Sequence, residues 1–168
     1  GLKLGNGLEE GVSVGPLVNA ETRDKVAELV EDAVAKGAKV VTGGKAVAGA
    51  GYFFPATVLT AVPDDARLLR EEIFGPVAPI QTFRDEDEIV AKANATEYGL
   101  VAYLFTGDLS RGLRVSERLE FGMVGLNRGL VSDPAAPFGG MKQSGLGREG
   151  GHEGLMDFLE TQYVSVTW

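Results

Sequence analysis

Cysteine is absent from all 168 residues. That excludes disulfides, thiolate metal sites and any cysteine nucleophile carried by these residues. Histidine is nearly absent, with His152 alone, so a histidine-ligated metal centre has nothing to build on and no metal is expected. Positive charge is in deficit: 16 Lys and Arg stand against 24 Asp and Glu, for a net charge of -8 and a pI near 4.7. Nucleic acid and anionic membrane surfaces both reward clustered basic side chains, so neither is an expected partner and a small molecule is. Long apolar runs are missing as well. The longest, residues 100–105, falls far short of the roughly 20 residues that a membrane span needs, and Gly1-Leu2-Lys3-Leu4-Gly5 lacks the apolar core of a signal peptide. The expected location is cytoplasmic.

What is present suits a folded domain: 44% hydrophobic residues and a mean hydropathy of +0.03 can supply a core in a chain of this length. Val26, Leu29, Val30, Ala33 and Val34 recur at helical spacing between a capping Asn19 and Gly37, predicting a helix over 20–36. Residues 38–42 read as a strand, followed by strands over 53–59 and 77–83, with Pro55 and Pro79 at edges or bends. Asp85 and Glu88 resemble a capping box for a helix over 86–94, with Ile89 and Ala93 inward. A strand over 100–106 follows. Asp108 caps a helix running to about residue 120, with Leu109, Leu113 and Leu119 inward and Gly112 a mild defect. A strand over 124–127 leads into a long loop, and a short helix is expected over 155–160. This alternation predicts an α/β fold with a twisted, mainly parallel sheet flanked by helices, and ligand loops beyond the carboxyl ends of its strands.

Two segments carry chemistry. Pro137-Phe138-Gly139-Gly140-Met141-Lys142-Gln143-Ser144-Gly145-Leu146-Gly147-Arg148-Glu149-Gly150 is glycine-dense, which fits either the rim of a ligand site or a tight turn. Glu71-Glu72-Ile73-Phe74 places adjacent carboxylates on opposite faces of extended chain. One can be solvated while the other turns inward beside Phe74, where it would suit ribose hydroxyls; a plain acidic surface pair is the competing reading. Other motifs fail on context. Gly145-x-Gly147-x-x-Gly150 lacks the preceding strand, the long helix and the distant acidic residue of a dinucleotide fingerprint. Gly44-Lys45 is followed by Ala46 rather than Ser or Thr. His152 has no serine elbow to serve, and the carboxylates of residues 85–88 mark a helix start rather than a cation cage.

Glu71-Glu72-Ile73-Phe74-Gly75-Pro76 and the glycine-dense segment, in this order and roughly sixty residues apart, resemble the carboxyl-terminal part of the NAD(P)-dependent aldehyde dehydrogenase superfamily. Residues 126–132 and 144–150 are most similar to its succinate-semialdehyde dehydrogenases. The resemblance implies an incomplete aldehyde dehydrogenase-like catalytic domain over residues 1–150. Residues 151–168 would form a helix and an oligomerisation strand, Tyr163-Val164-Ser165-Val166-Thr167-Trp168, that joins copies of the chain. It further implies that Glu72 binds the nicotinamide ribose of NAD or NADP and that Phe74 packs near the nicotinamide. Phe138 would line the aldehyde tunnel, and Ser132 would help hold the substrate carboxylate. Lys142 and Arg148 are expected to brace loop carbonyls. Arg128 and Asp133 depart from the family pattern beside Ser132.

In that family a cysteine thiolate attacks the aldehyde, hydride passes to the nicotinamide and a glutamate activates water. The resemblance puts the nucleophile, the base and the Rossmann domain upstream of Gly1. The chain is therefore expected to be a fragment with no catalytic residue of its own, inactive without a missing N-terminal part. A noncatalytic association or regulatory module is the alternative, and a small phosphate-binding protein built on the glycine loop is a third reading.

Overall fold

In a computed structural model that describes residues 1–168, the chain divides into two compact units, Gly1–Thr82 and Phe83–Trp168. The first contains helix α1 (Ala20–Ala35) and strands β1 (Lys39–Thr42), β2 (Thr57–Thr60) and β3 (Val77–Pro79), with a 3-10 turn at Arg67–Leu69. The Asn19 side chain accepts from the Thr22 N–H at 2.8 Å and caps α1 as the sequence requires. Its apolar face, Val26, Leu29, Val30 and Ala33, is buried with Phe54, Leu59, Val62 and Leu68. Buried Thr57 is fully satisfied: its hydroxyl donates to the Pro55 carbonyl and accepts from the Gly44 N–H. Asp32 near the end of α1 accepts from the Arg67 N–H at 2.9 Å and from Lys36. These bonds, the backbone one foremost, hold its carboxyl below the usual carboxylate range.

The second unit contains α2 (Glu86–Asn94), β4 (Tyr98–Gly99), β5 (Val101–Leu104), α3 (Leu109–Arg118), β6 (Met123–Leu126), β7 (Met141–Lys142) and α4 (Gly151–Met156). Asp85 accepts from the Glu88 N–H and Asp108 from the Arg111 N–H, so both expected caps form. The Glu88 carboxylate returns to the N–H of Arg84, one residue earlier than a capping box requires. Glu86 binds Arg111 and Arg114 while Asp87 binds Arg118, lacing α2 to α3. The Arg114 hydrogen bond is the main cause that holds the Glu86 carboxyl below the usual range.

Three expectations need correction. The strands do not form one mainly parallel sheet. They form three small ones, β1-β2-β3, β4-β7 and β5-β6, in which β1 with β2 and β4 with β7 are antiparallel. A parallel return needs a crossover, usually helical. α3 supplies it between parallel β5 and β6, whereas no helix separates β1 from β2. Second, Leu109 and Leu113 do not face inward; they are exposed, and Gly112 and Val115 are the buried residues of α3. Gly112 is no defect, because a Cβ there would meet Leu126 of β6 at 2.9 Å, so its bare backbone lets helix and strand approach. Third, the last helix is Gly151–Met156 rather than 155–160. The 163–168 segment, expected to join copies of the chain, pairs with no strand of its own chain. Its alternation fixes which side chains share a face but not which edge receives them.

Phe54 is fully buried and is the largest side chain in that state. Phe54→Ala is expected to lower the unfolding free energy by about 3–5 kcal/mol, measured by urea unfolding of the 168-residue chain.

Candidate functional site

In the first unit the acidic pair divides, one carboxylate held and the other in solvent. Glu71 is half-buried and held by the Arg67 guanidinium at 2.6 and 3.0 Å, a hydrogen bond that keeps its carboxyl below the usual range. Glu72 is exposed, and its carboxylate has no hydrogen bond or ion pair within the chain. Only its backbone carbonyl is fixed, by the Lys25 ammonium at 2.7 Å. Arg67, one helical turn before Glu71, thus holds the first glutamate and leaves the second in solvent.

Phe74 owes its position to backbone. Ile73 packs on the core, and a Cβ at Gly75 would meet Val26 of α1 at 2.6 Å, so the chain is pressed against α1 on either side of Phe74. The residue between adopts φ +48, unusual for an aromatic. Its ring is turned out of the core and is 72% exposed. A free carboxylate and a flat apolar ring thus stand two residues apart on one braced segment.

In the second unit the loop after β6 is anchored at both ends. Asn127, at φ +54, accepts from the Thr106 N–H at 2.8 Å and donates back to the Thr106 carbonyl at 2.9 Å. This pair extends the β5–β6 ladder past the strand end. Farther along, the Asp133 carboxylate accepts from the Ala135 N–H and the Gly151 N–H donates to the Pro134 carbonyl. Ser132 lies exposed between these anchors. Phe138 exchanges two backbone hydrogen bonds with Glu149, both 2.7 Å, and is half-buried beside a hollow of about 330 Å³ that Leu100, Leu146 and Phe158 also line. Ser132 does not line that hollow. Glu72 with Phe74, and Ser132 with Phe138, are each described within their own unit.

The braces expected of the two cations form. The Lys142 ammonium donates to the carbonyls of Asn94 and Thr96 and pairs with Glu120. The Arg148 guanidinium donates to the carbonyls of Gly140 and Gly147. The glycine-rich segment also docks backbone to backbone: a Cβ on Gly122 would overlap the Gly139 carbonyl oxygen and sit 2.8 Å from the Gly140 Cα. Loop and strand start therefore touch where glycine alone fits.

A larger cleft of about 600 Å³ lies among α2, β5 and α3 and contains none of these residues. No group of His, Cys, Asp and Glu is arranged to hold a metal ion. No helix is long and apolar enough to cross a membrane. Sequence reasoning missed the Asn127 clamp and the Asp133 turn, although Asn's tolerance of positive φ and the Asp-Pro dipeptide were signals for both.

The first unit thus carries a braced carboxylate–aromatic segment and the second a clamped glycine-rich loop, both on a mixed α/β scaffold. Residues 1–164 match the aldehyde dehydrogenase family, and the chain belongs to that family. It is 54% identical over 165 residues to succinate-semialdehyde dehydrogenase of Paenarthrobacter nicotinovorans, covering 98% of this chain and 37% of that protein. It is 52% identical to glutarate-semialdehyde dehydrogenase of Pseudomonas putida, covering 99% of this chain and 34% of that protein. The crystal structure of succinate-semialdehyde dehydrogenase from Burkholderia pseudomallei superposes with a TM-score of 0.90 at 53% identity, over 94% of this chain and 33% of that one. The chain thus spans about a third of the length of the relatives it matches.

Gly122→Ala is expected to force the loop off its seat, costing about 1–3 kcal/mol of stability. Thermal unfolding of the 168-residue chain measures the loss, and limited proteolysis should show earlier cleavage within residues 137–150.

Proposed function

We propose that the chain forms the carboxyl-terminal part of a catalytic domain that oxidises an aldehyde bearing a distal carboxylate, with succinate semialdehyde as the favoured substrate and NAD or NADP as oxidant. The observation that carries this reading is the pairing of an unengaged Glu72 carboxylate with the outward Phe74 ring on a segment braced by Lys25, Arg67 and α1. The kinship to succinate- and glutarate-semialdehyde dehydrogenases supports the substrate class.

The residues present fit a nicotinamide dinucleotide: a free carboxylate can accept two hydrogen bonds from a ribose diol, and an exposed ring offers an apolar wall to a planar heterocycle. When bound, that cofactor supplies the hydride acceptor. Glu72 would orient the ribose and Phe74 would limit the swing of the nicotinamide. Phe138 would shield the aldehyde from water, and the Ser132 hydroxyl would donate to the carboxylate at the far end. None of the four is the nucleophile, and the chain carries no cysteine to be one. In this reading residues 1–150 serve the catalytic domain and residues 151–168 serve association of copies in the cytoplasm.

The 168-residue chain alone is expected to reduce neither NAD nor NADP with succinate semialdehyde, followed at 340 nm, while the product of the complete reading frame does. In that product Glu72→Gln should raise the KM for the dinucleotide about 10-fold, the scale of one charge-assisted hydrogen bond. Turnover by the isolated chain would contradict the division of labour; an unaltered dinucleotide KM would contradict the role of Glu72.

Tyr163, Val164, Val166 and Trp168 are all strongly exposed, and an alternating segment of this kind can add to a partner's sheet edge. Removing residues 161–168 is expected to shift the complete product to a smaller species in light scattering. An unchanged mass would favour association through another surface.

A further inference from the structure

Asparagine occurs at residues 6, 19, 94 and 127, and the last three have their side-chain amides at work. Asn19 caps α1 through the Thr22 N–H, and Asn127 exchanges two bonds with Thr106. Asn94 accepts from the Glu120 N–H while donating to the Arg118 carbonyl. Asn6 differs. Its Oδ1 accepts from the Leu8 N–H at 3.1 Å, but its amide nitrogen makes no hydrogen bond, and it alone among the asparagines is followed by glycine.

Asn6 and Gly7 lie exposed at the tip of a loop that is closed at its neck. There the Gly5 N–H donates to the Val14 carbonyl, and the Lys3 carbonyl accepts from the N–H groups of Ser13 and Val14. The Glu9 N–H donates to the Asn6 carbonyl at 2.9 Å, closing a turn that leaves the Gly7 N–H without a partner, as suits an Asn-Gly pair. A Cβ at Gly7 would meet nothing within 4 Å. The Gly7 nitrogen is therefore open to solvent base, and it has no side chain of its own to shield it from the carboxamide beside it.

Independently of the function proposed above, we propose that Asn6 is a site of spontaneous deamidation through the Gly7 nitrogen. Hydroxide removes the Gly7 N–H proton and the nitrogen attacks Asn6 Cγ. The Cγ–Nδ2 bond then breaks, and ammonia leaves with a proton from water. Water opens the resulting succinimide in either of two ways. Opening at Cγ gives aspartate. Opening at the main-chain carbonyl leaves Gly7 attached through Cγ, an isoaspartyl link that lengthens the backbone by a methylene. Nothing is oxidised or reduced. Either product adds a carboxylate close to Glu9 and Glu10, and the isoaspartyl form turns the Asn6 carbonyl that holds Glu9 into a free carboxylate. The neck bonds of Lys3, Gly5 and Val14 lie outside the altered unit, so the change is confined to the loop tip.

The test ages the product of the complete reading frame at mildly alkaline pH and follows its tryptic peptides by tandem mass spectrometry. Cleavage after Lys3 and Arg23 leaves Asn6 and Asn19 in one peptide, so the helix cap is an internal reference. Conversion at Asn6 is expected to outrun that at Asn19 at least about 10-fold, because a glycine nitrogen is unshielded. It should quicken as pH rises, since more of the Gly7 amide is deprotonated, and yield isoaspartate that an isoaspartyl methyltransferase labels. Gly7→Ala, whose added Cβ enters open space without positive φ, should slow the conversion at least about 10-fold and leave thermal unfolding unchanged. Conversion at Asn6 no faster than at Asn19 overturns the proposal. So does a Gly7→Ala variant that loses ammonia at the wild-type rate.

Discussion

The second unit depends on a close approach of two backbones. Gly122, at the entry to β6, lies against Gly139 and Gly140 of the glycine-rich segment with no room for a side chain. That contact seats the loop on the strand system. Its neighbours then complete the attachment: the Gly99 N–H donates to the Ser144 hydroxyl at 3.0 Å, the Gln143 N–H to the Glu97 carbonyl, the Lys142 ammonium to the carbonyls of Asn94 and Thr96 at the end of α2, and Arg148 to the Gly140 carbonyl. Phe138 is held beside this framework by its backbone exchange with Glu149. Glycine here acts through what it omits, and Arg148 supplies donors to two carbonyls of a loop without regular structure.

The first unit solves the analogous problem with a helix. The apolar face of α1 buries the core and, through Val26, presses on Gly75. Lys25, the neighbouring residue, turns to solvent and holds the Glu72 carbonyl. One helix turn thereby fixes a segment that has no secondary structure, leaving the Glu72 carboxylate unengaged and the Phe74 ring outside. Local strain at Phe74 is a recurrent mark of functional positions, and the packing on both sides of it is what sustains that strain.

Much of this was legible from residues alone. The three helix caps at Asn19, Asp85 and Asp108 follow from a short polar side chain ahead of an apolar periodic run, and each accepts the N–H three residues on. The bracing by Arg148 was legible because a glycine-rich loop leaves carbonyls that need donors, whereas Lys142 reaches the carbonyls of Asn94 and Thr96 at the end of α2. Strand pairing was not. Four-residue strands carry too little pattern to specify direction, and the antiparallel return from β1 to β2 depends on a connection without a helix. The face of α3 was misjudged because leucine outranks glycine in hydrophobicity, whereas the packing at Gly112 is decided by distance of approach. Which of Glu71 and Glu72 is held turned on Arg67, which lies four residues upstream of Glu71 on a 3-10 turn that composition does not reveal.

Glu72 and Phe74, on the segment braced by α1, are proposed to receive the nicotinamide half of the dinucleotide. A crystal structure of the complete reading-frame product with NAD or NADP and succinate tests it most directly. The expected result has the Glu72 carboxylate hydrogen-bonded to the nicotinamide ribose. A ribose held by other residues while Glu72 stays in solvent would contradict it.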